Sequence, residues 1–370
     1  MADTGDNNLT VRIEQRDCPG GMKLGLITLD APKSLHALTL DMIRAIDGAL
    51  LKWADDTAIA CVVLQSSTDK AFCAGGDVRS LRNAIVADPA LMPNPDALAF
   101  FSEEYRLDQR IHGYAKPVLV WGGGIVMGGG LGLMAGASHK VVTESTRIAM
   151  PEMSIGLFPD VGGSWFLGRM PGRSGLFLGL TGAVMNAGDA LFSGLGDYFL
   201  QQSDRSMLLD ALALTQWHAD AAVNHVALDR LLRGFSAPPA MMPASEVAAN
   251  FEAIQAMTVS RSLADVHAAI SAYDGPSPWL QTAARSLAGG APVSAALVWE
   301  MRRRTRHMSL AEVFQLELIV AVQCCAHPDF AEGVRALLID KDNRPCWLPA
   351  TLAEVSQEYL DEYFQAPWVN

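Results

Sequence analysis

The stretch Met127–Asp160, MGGGLGLMAGASHKVVTESTRIAMPEMSIGLFPD, decides the reading of this chain. It opens on a triple-glycine turn leading into an apolar segment, and it carries two carboxylates downstream, Glu152 and Asp160. Glycines let backbone N–H groups converge at a turn, and a helix start aims further N–H groups at the same point. That arrangement favours negative charge on an oxygen. A second glycine turn, AGGD at Ala74–Asp77, occupies the matching place one strand–helix unit earlier. Two such turns with acids nearby predict a carbonyl-polarising pocket for acyl or enolate chemistry. Taken alone, either turn would read as a tight strand–helix corner. Neither matches the P-loop, which needs a Lys-Ser/Thr pair, nor the dinucleotide fingerprint.

Around this stretch, strands and helices alternate. VRIEQR and KLGLITLD read as strands joined by a Pro-Gly-Gly turn. Thr39 can cap a helix whose Met42, Ile43, Ile46, Leu50 and Trp53 share one side. IACVVLQS reads as a strand covered on both faces. A turn over AFCAGGD, a helix over 78–86, a loop over 88–95 and a helix over 100–114 follow. PVLVWG and HKVVTES are the next strands. The pattern predicts an α/β fold with right-handed crossovers. Past about residue 200 the strand signals fade, and MLLDALALTQW, HVALDRLLRGF, SLADVHAAI and LAEVFQLELIVAVQCCA read as helices. The expected organisation is an α/β core over 1–200 carrying the site, with a helical extension over 201–370 packed on it.

Composition bounds the function. The 370 residues are 50% hydrophobic and 18% charged, as in a globular protein with a substantial core. A net charge of −12 argues against nucleic acid or an anionic membrane as partner. Residues 117–137 are long and apolar enough to raise a membrane span, but their eight glycines favour a strand, a turn and a buried helix. The six cysteines form no C-x-x-C pair, so a zinc site is not expected. Reduced, packed cysteines and an acidic N-terminus without an apolar core or an Arg-rich amphipathic pattern fit a cytoplasmic protein. His36, His112 and His139 show no ligand spacing and read as structural or surface residues, and no metal site is assigned. Ser154 and Ser164 lack a nucleophile elbow. The basic run Met301–Met308 reads as a solvated helix face, with a phosphate contact to a cofactor-like ligand as the alternative. Glu152 and Asp160, eight residues apart with Ile155, Leu157 and Phe158 between them, read either as partly desolvated acids or as helix caps.

CAGGD, MGGG and MPE followed by IGLFPDVGG resemble the crotonase (enoyl-CoA hydratase/isomerase) superfamily. FPDVGG, FFSEEYRLDQRI and DFAEGVRALLIDKDNRPCW are similar to its thioester-hydrolase branch, and the likeness runs from about Leu24 to Tyr363. The resemblance implies a crotonase-like fold of repeated ββα units with a C-terminal helical extension. It implies hydrolysis of a short β-hydroxyacyl-CoA thioester, 3-hydroxyisobutyryl-CoA, in valine breakdown. Gly76 and Gly129 would then be the oxyanion hole, Glu152 and Asp160 catalytic, and Glu104 a substrate-binding acid. Coenzyme A would be part of the substrate, with no other cofactor, and a homo-oligomer is implied. Hydratases carry a glutamate where this chain has Gly132, which weakens hydration as a reading. Isomerisation of an enoyl thioester and a catalytically silent acyl-CoA binder are the alternatives. The chain departs from the branch at His36 (usually Asn), at Gly123-Gly124 (usually His-Gly) and at Leu318-Ile319 (usually Tyr-Arg).

Overall fold

The computed structural model describes residues 10–368. Strands β1 (Val11–Asp17) and β2 (Lys23–Leu29) form an antiparallel hairpin. From β2 onward the large sheet is parallel, in the order β1-β2-β3-β5-β7-β9. Its remaining strands are β3 (Ile59–Ser66), β5 (Val118–Gly122), β7 (His139–Val142) and β9 (Tyr198–Phe199). A second, three-stranded parallel sheet holds β4 (Ala71–Cys73), β6 (Ile125–Met127) and β8 (Arg147–Ala149). The chain thus passes from a large-sheet strand to a small-sheet strand and then to a helix, which is the repeated ββα unit.

The helices of this core are α1 (Leu40–Asp55), α2 (Val78–Ala87), α3 (Pro95–His112) and α4 (Gly129–Ala135). Thr39 caps α1 by accepting from the Met42 amide at 3.2 Å, as expected. Trp53 of α1 lies over β2 at Gly25, where a Cβ would stand 2.5 Å from the indole. The apolar run of β3 is buried along nearly its whole length, as its composition requires.

The structure differs from the expected elements in two ways. The short strands β4, β6 and β8 span three residues each, too few for an alternation to register. They divide the expected turn at AFCAGGD and split residues 117–137 into β5, β6 and α4. In addition, α3 begins at Pro95, inside the expected loop. Asn94 caps it, accepting from the Asp96 and Ala97 amides at 3.1 and 3.2 Å. Proline is favourable at a first helical position, where its missing N–H costs nothing.

Beyond β9 the chain is helical. Arg205–Leu214, Ala221–Gly234, Leu263–Ser271 and Leu310–Ala326 fall where periodicity put them. Pro278–Gly289, Pro292–Arg304 and Pro328–Val334 each start on a proline, whose missing N–H costs nothing at that position. Leu310–Ala326 lies along α3. Among the described residues no single helix is long and apolar enough to cross a membrane. A bent pair, Leu310–Ala326 with Pro328–Ile339, meets the length and composition test but turns by 75°.

Gly130 marks the tightest contact between α4 and the small sheet, since a Cβ there would overlap the Cys73 carbonyl. Gly130→Ala should therefore lower stability by about 1–3 kcal/mol in urea unfolding, through overpacking against backbone that cannot yield. Gly168→Ala, where a Cβ meets nothing within 4 Å, should be neutral or slightly stabilising.

Candidate active site

Two glycine corners meet at the C-terminal ends of neighbouring strands. β4 pairs with β6 in parallel, Cys73 facing Val126. The chain leaves β4 through Gly75 and Gly76 and leaves β6 through Gly128 and Gly129. A Cβ on Gly128 would stand 3.5 Å from the Gly75 Cα, and one on Gly75 would stand 3.9 Å from the Gly129 nitrogen. Gly75 and Gly128 have φ of 108° and 48°, which glycine adopts without strain.

The corners leave two amides unused. The Leu38 amide donates to the Gly75 carbonyl and the Asp77 amide donates to the Leu38 carbonyl, both at 2.8 Å. Strand backbone groups alternate in direction, so the Gly76 amide between them faces away from Leu38. Gly129 is the first residue of α4, where the helix itself supplies no acceptor for its N–H. Gly76 and Gly129 both line one cleft, of about 890 Å³ of empty volume, open to solvent on one side.

Three carboxyl groups line the same cleft: Glu104, Glu152 and Asp160. Glu152 heads a short 3-10 turn, Glu152–Ile155, directly after Pro151. A Cβ on Gly128 would lie 2.9 Å from its Oε1, and its buried Oε2 has no partner. Burial first, then the charge of Asp160 and that of Glu104, pushes the Glu152 carboxyl well above the usual range. Asp160 accepts from the Tyr105 hydroxyl at 2.6 Å. Burial lifts it to about 6, against the pull of that hydrogen bond. Glu104 sits on α3 with Oε1 unpartnered and against Gly129, and burial and Asp160 drive it well up too. The capping alternative does not hold. Helix Gly163–Phe166 has no side-chain cap, and neither does the turn begun by Glu152.

The rest of the wall is apolar apart from Ser154. Phe100 and Phe101 come from α3, and Leu337 and Leu338 come from the π-helical turn Arg335–Ile339 of the C-terminal region. That turn is pinned by Arg335, which pairs with Glu332, Asp340 and Asp342 at 2.6–2.8 Å. Behind the cleft, Glu317 of helix Leu310–Ala326 accepts from the Gly162 and Ser164 amides at 2.7 and 2.9 Å, fixing the loop that carries Asp160. Burial nevertheless raises Glu317 to about 8.

Tyr105, Glu317, Leu337 and Leu338 were not singled out in the sequence. A signal existed for the first two. Phe101, Glu104, Tyr105 and Asp108 recur at i, i+3, i+4 and i+7, so polar residues sit on the buried stripe of α3. Glu317 is likewise a charge in the middle of an apolar helix.

The other candidates lie elsewhere. His36 is buried, accepting from the Ala31 amide at Nδ1 and meeting the Thr68 hydroxyl at Nε2. Its φ of 60° suits Asn, and His shares that tolerance, which explains the departure from Asn. At Gly123 the Gln202 side chain fills the space a Cβ would need. His139 stacks on Tyr198 and His225. In the basic run, Arg303 and Arg304 pair with Glu300. Among the described residues no three His, Cys, Asp or Glu side chains form a group suited to a metal ion.

Paired free amides with buried acids around an apolar cleft equip an enzyme that handles acyl groups or their enolates. The chain belongs to the enoyl-CoA hydratase/isomerase family, whose profile matches residues 24–364. It is 38% identical to the zebrafish (Danio rerio) protein named 3-hydroxyisobutyryl-CoA hydrolase, mitochondrial, over 93% of this chain and 87% of that one. It is 34% identical to the human protein of the same name, over 96% and 88%. Among solved structures, a carnitinyl-CoA dehydratase from Mycobacterium thermoresistibile superposes with a TM-score of 0.84 at 34% identity, covering 97% of each chain. An enoyl-CoA hydratase from Rhodobacter sphaeroides superposes with a TM-score of 0.82 at 33% identity, covering 96% of this chain and 97% of that one.

Tyr105→Phe should move the ionisation of Asp160 above about 6, since the hydroxyl stabilises the charged form. Carbon-detected NMR titration of the aspartate carboxyls reads this directly. The same change should cost about 1–3 kcal/mol of stability near neutral pH by stripping the buried carboxylate of its donor.

Proposed function

We propose that the protein hydrolyses a short β-hydroxyacyl-CoA thioester, with 3-hydroxyisobutyryl-CoA as substrate. The observation that carries this reading is the convergence of the Gly76 and Gly129 amides and three buried carboxyls on one cleft. The thioester oxygen lies between the two amides. Those bonds strengthen as the oxygen gains charge, so they favour the transition state; one such donor is typically worth about 10²–10³ in kcat.

Glu152 faces the carbonyl carbon. As a base it takes a proton from water while the water oxygen adds to the carbon. The tetrahedral oxyanion then collapses, the C–S bond breaks, and the thiolate takes the proton back from Glu152. As a nucleophile Glu152 would add directly, expelling the thiolate and leaving a mixed anhydride for water to cleave. Asp160 and Glu104 hold the substrate hydroxyl. Coenzyme A enters as part of the substrate, and no further cofactor has a role in this scheme. The extension over 201–370 closes the cleft from outside the 1–200 core through Leu337 and Leu338. We further propose a reducing compartment, the cytosol, on the six unpaired cysteines. The vertebrate relatives are named mitochondrial.

Gly132 argues against hydration. A Cβ there would lie 2.6 Å from Asp108 Oδ2 and 2.7 Å from the Val161 Cβ, so the position has no room for a second glutamate.

A panel of CoA thioesters with a thiol reagent tests the proposal. Rapid thiol release from the 3-hydroxyisobutyryl thioester is expected, and its loss in Glu152→Gln. Double-bond migration without thiol release would instead make the protein an isomerase. Intact thioesters throughout, with ligand still bound, would make it a silent binder.

The pH profile supplies a second test. Glu152 works only when ionised, so activity should rise as pH climbs through its raised pKa. Asp160→Asn removes a neighbouring negative charge that lifts Glu152. The acid limb of that variant should therefore move to lower pH, whatever its maximal rate.

A further inference from the structure

α3 turns a file of three titratable side chains toward α4: Glu104, Asp108 and His112, each one turn after the last. α4 and its C-cap answer with three glycines. A Cβ on Gly129 would overlap Glu104 Oε1; one on Gly132 would lie 2.6 Å from Asp108 Oδ2; one on Gly136 would lie 2.5 Å from His112 Cδ2. The three side chains thus lie in a groove that glycine alone leaves open. Glu104 stands at the cleft end of it.

Asp108 is the member that the mechanism does not use. It is 0% exposed, and neither of its oxygens has a hydrogen-bond partner among the described residues. The charged groups that act on it are Glu104 on its own helix, Asp160, and Glu317 on the helix packed against α3; the Cys73 thiol on β4 feels it in turn, and Tyr105 and His112 are its neighbours by helical spacing. None of them offers a compensating cation. Burial pushes His112 down to about 4, which leaves it neutral, and lifts the Cys73 thiol to about 12. A carboxylate at this place would be buried, unpaired and one helical turn from a second acid.

We propose that Asp108 is a positioning residue for Glu104: held as the neutral acid in the α3–α4 groove, it keeps a further negative charge away from the acid that faces the acyl group. Neighbouring carboxyls in a dry site do not readily both ionise, and of these two only Asp108 has both oxygens buried without a donor. Burial and the charges of Glu104, Asp160 and Glu317 all act in that direction. Above the pH at which Asp108 finally ionises, a second charge enters the groove and the cleft's acids are disturbed together. The kinetic consequence rests on the thioesterase reading; the protonation state itself does not.

Two measurements separate these. Infrared spectra of protein labelled with [4-¹³C]aspartate at pH 7 should contain a protonated-carboxyl band that is missing from Asp108→Asn. In Glu104→Gln the band should be lost at lower pH than in the wild type, because the neighbouring charge is gone. On the kinetic side, Asp108→Asn is permanently neutral. The alkaline limb of kcat/KM for the hydroxyacyl thioester should move up by about one pH unit or more. A wild-type spectrum unchanged by Asp108→Asn would overturn the proposal, as would an alkaline limb that superposes on the wild type. If Asp108→Asn does not fold, the wild-type and Glu104→Gln titrations decide alone, and coincident titrations would sink it. If no thioester is cleaved at all, the thioesterase reading fails while the infrared result still judges Asp108.

Discussion

The structure turns on a close meeting of two backbone corners held in glycine conformations: the corner at Gly75–Gly76 against the corner at Gly128–Gly129, with Gly75 and Gly128 at positive φ. It exists because β4 and β6 are adjacent parallel strands, so the corners that follow them emerge side by side. Parallel strands bring their C-terminal ends to one edge, and what binds there is met by loops and helix starts. A Cβ on Gly128 would crowd the Glu152 carboxyl at 2.9 Å, while meeting Gly75 only at ordinary contact distance, 3.5 Å. Glycine at 128 therefore lets the corner turn while leaving room for the nearest acid.

Around that contact the protein gathers acids in a place where charge is expensive. Glu104, Asp108, Glu152 and Glu317 are all pushed upward by burial before any neighbour acts. Only Asp160 and Glu317 have strong donors, from Tyr105 and from the Gly162 and Ser164 amides. Unpaired buried carboxyls destabilise a fold, so their persistence beside free amides marks where stability has been given up for chemistry. Raised proton affinity would also suit Glu152 in the proposed role of base, since a base works best with a pKa near the pH of the reaction. The C-terminal helices complete the arrangement, carrying Glu317 to the Asp160 loop and Leu337 and Leu338 to the cleft wall.

Much of this was legible in the chain. Long amphipathic or apolar periods located α1, β3 and the helix Leu310–Ala326 nearly to the residue. The glycine turns and the Pro-preceded acids marked the cleft, because unusual backbone needs glycine and the resemblance assigned each residue a part. Three kinds of feature stayed hidden. Strands of three residues are too short to show a period. Helices that start on proline look like loops. Finally, the meeting of Glu317 with residues 162–164, or of Asp108 with Gly132, is made by packing between distant segments that no local pattern encodes.

The most direct measurement is the carbonyl stretch of a ¹³C=O-labelled 3-hydroxyisobutyryl thioester bound to Glu152→Gln, read by isotope-edited infrared spectroscopy. Two amides gripping the oxygen would polarise the bond and shift the band to clearly lower frequency than in water. A bound thioester whose carbonyl band stays at its solution position would mean that the glycine corners do not hold the oxygen, and the chemistry assigned to the cleft would be wrong.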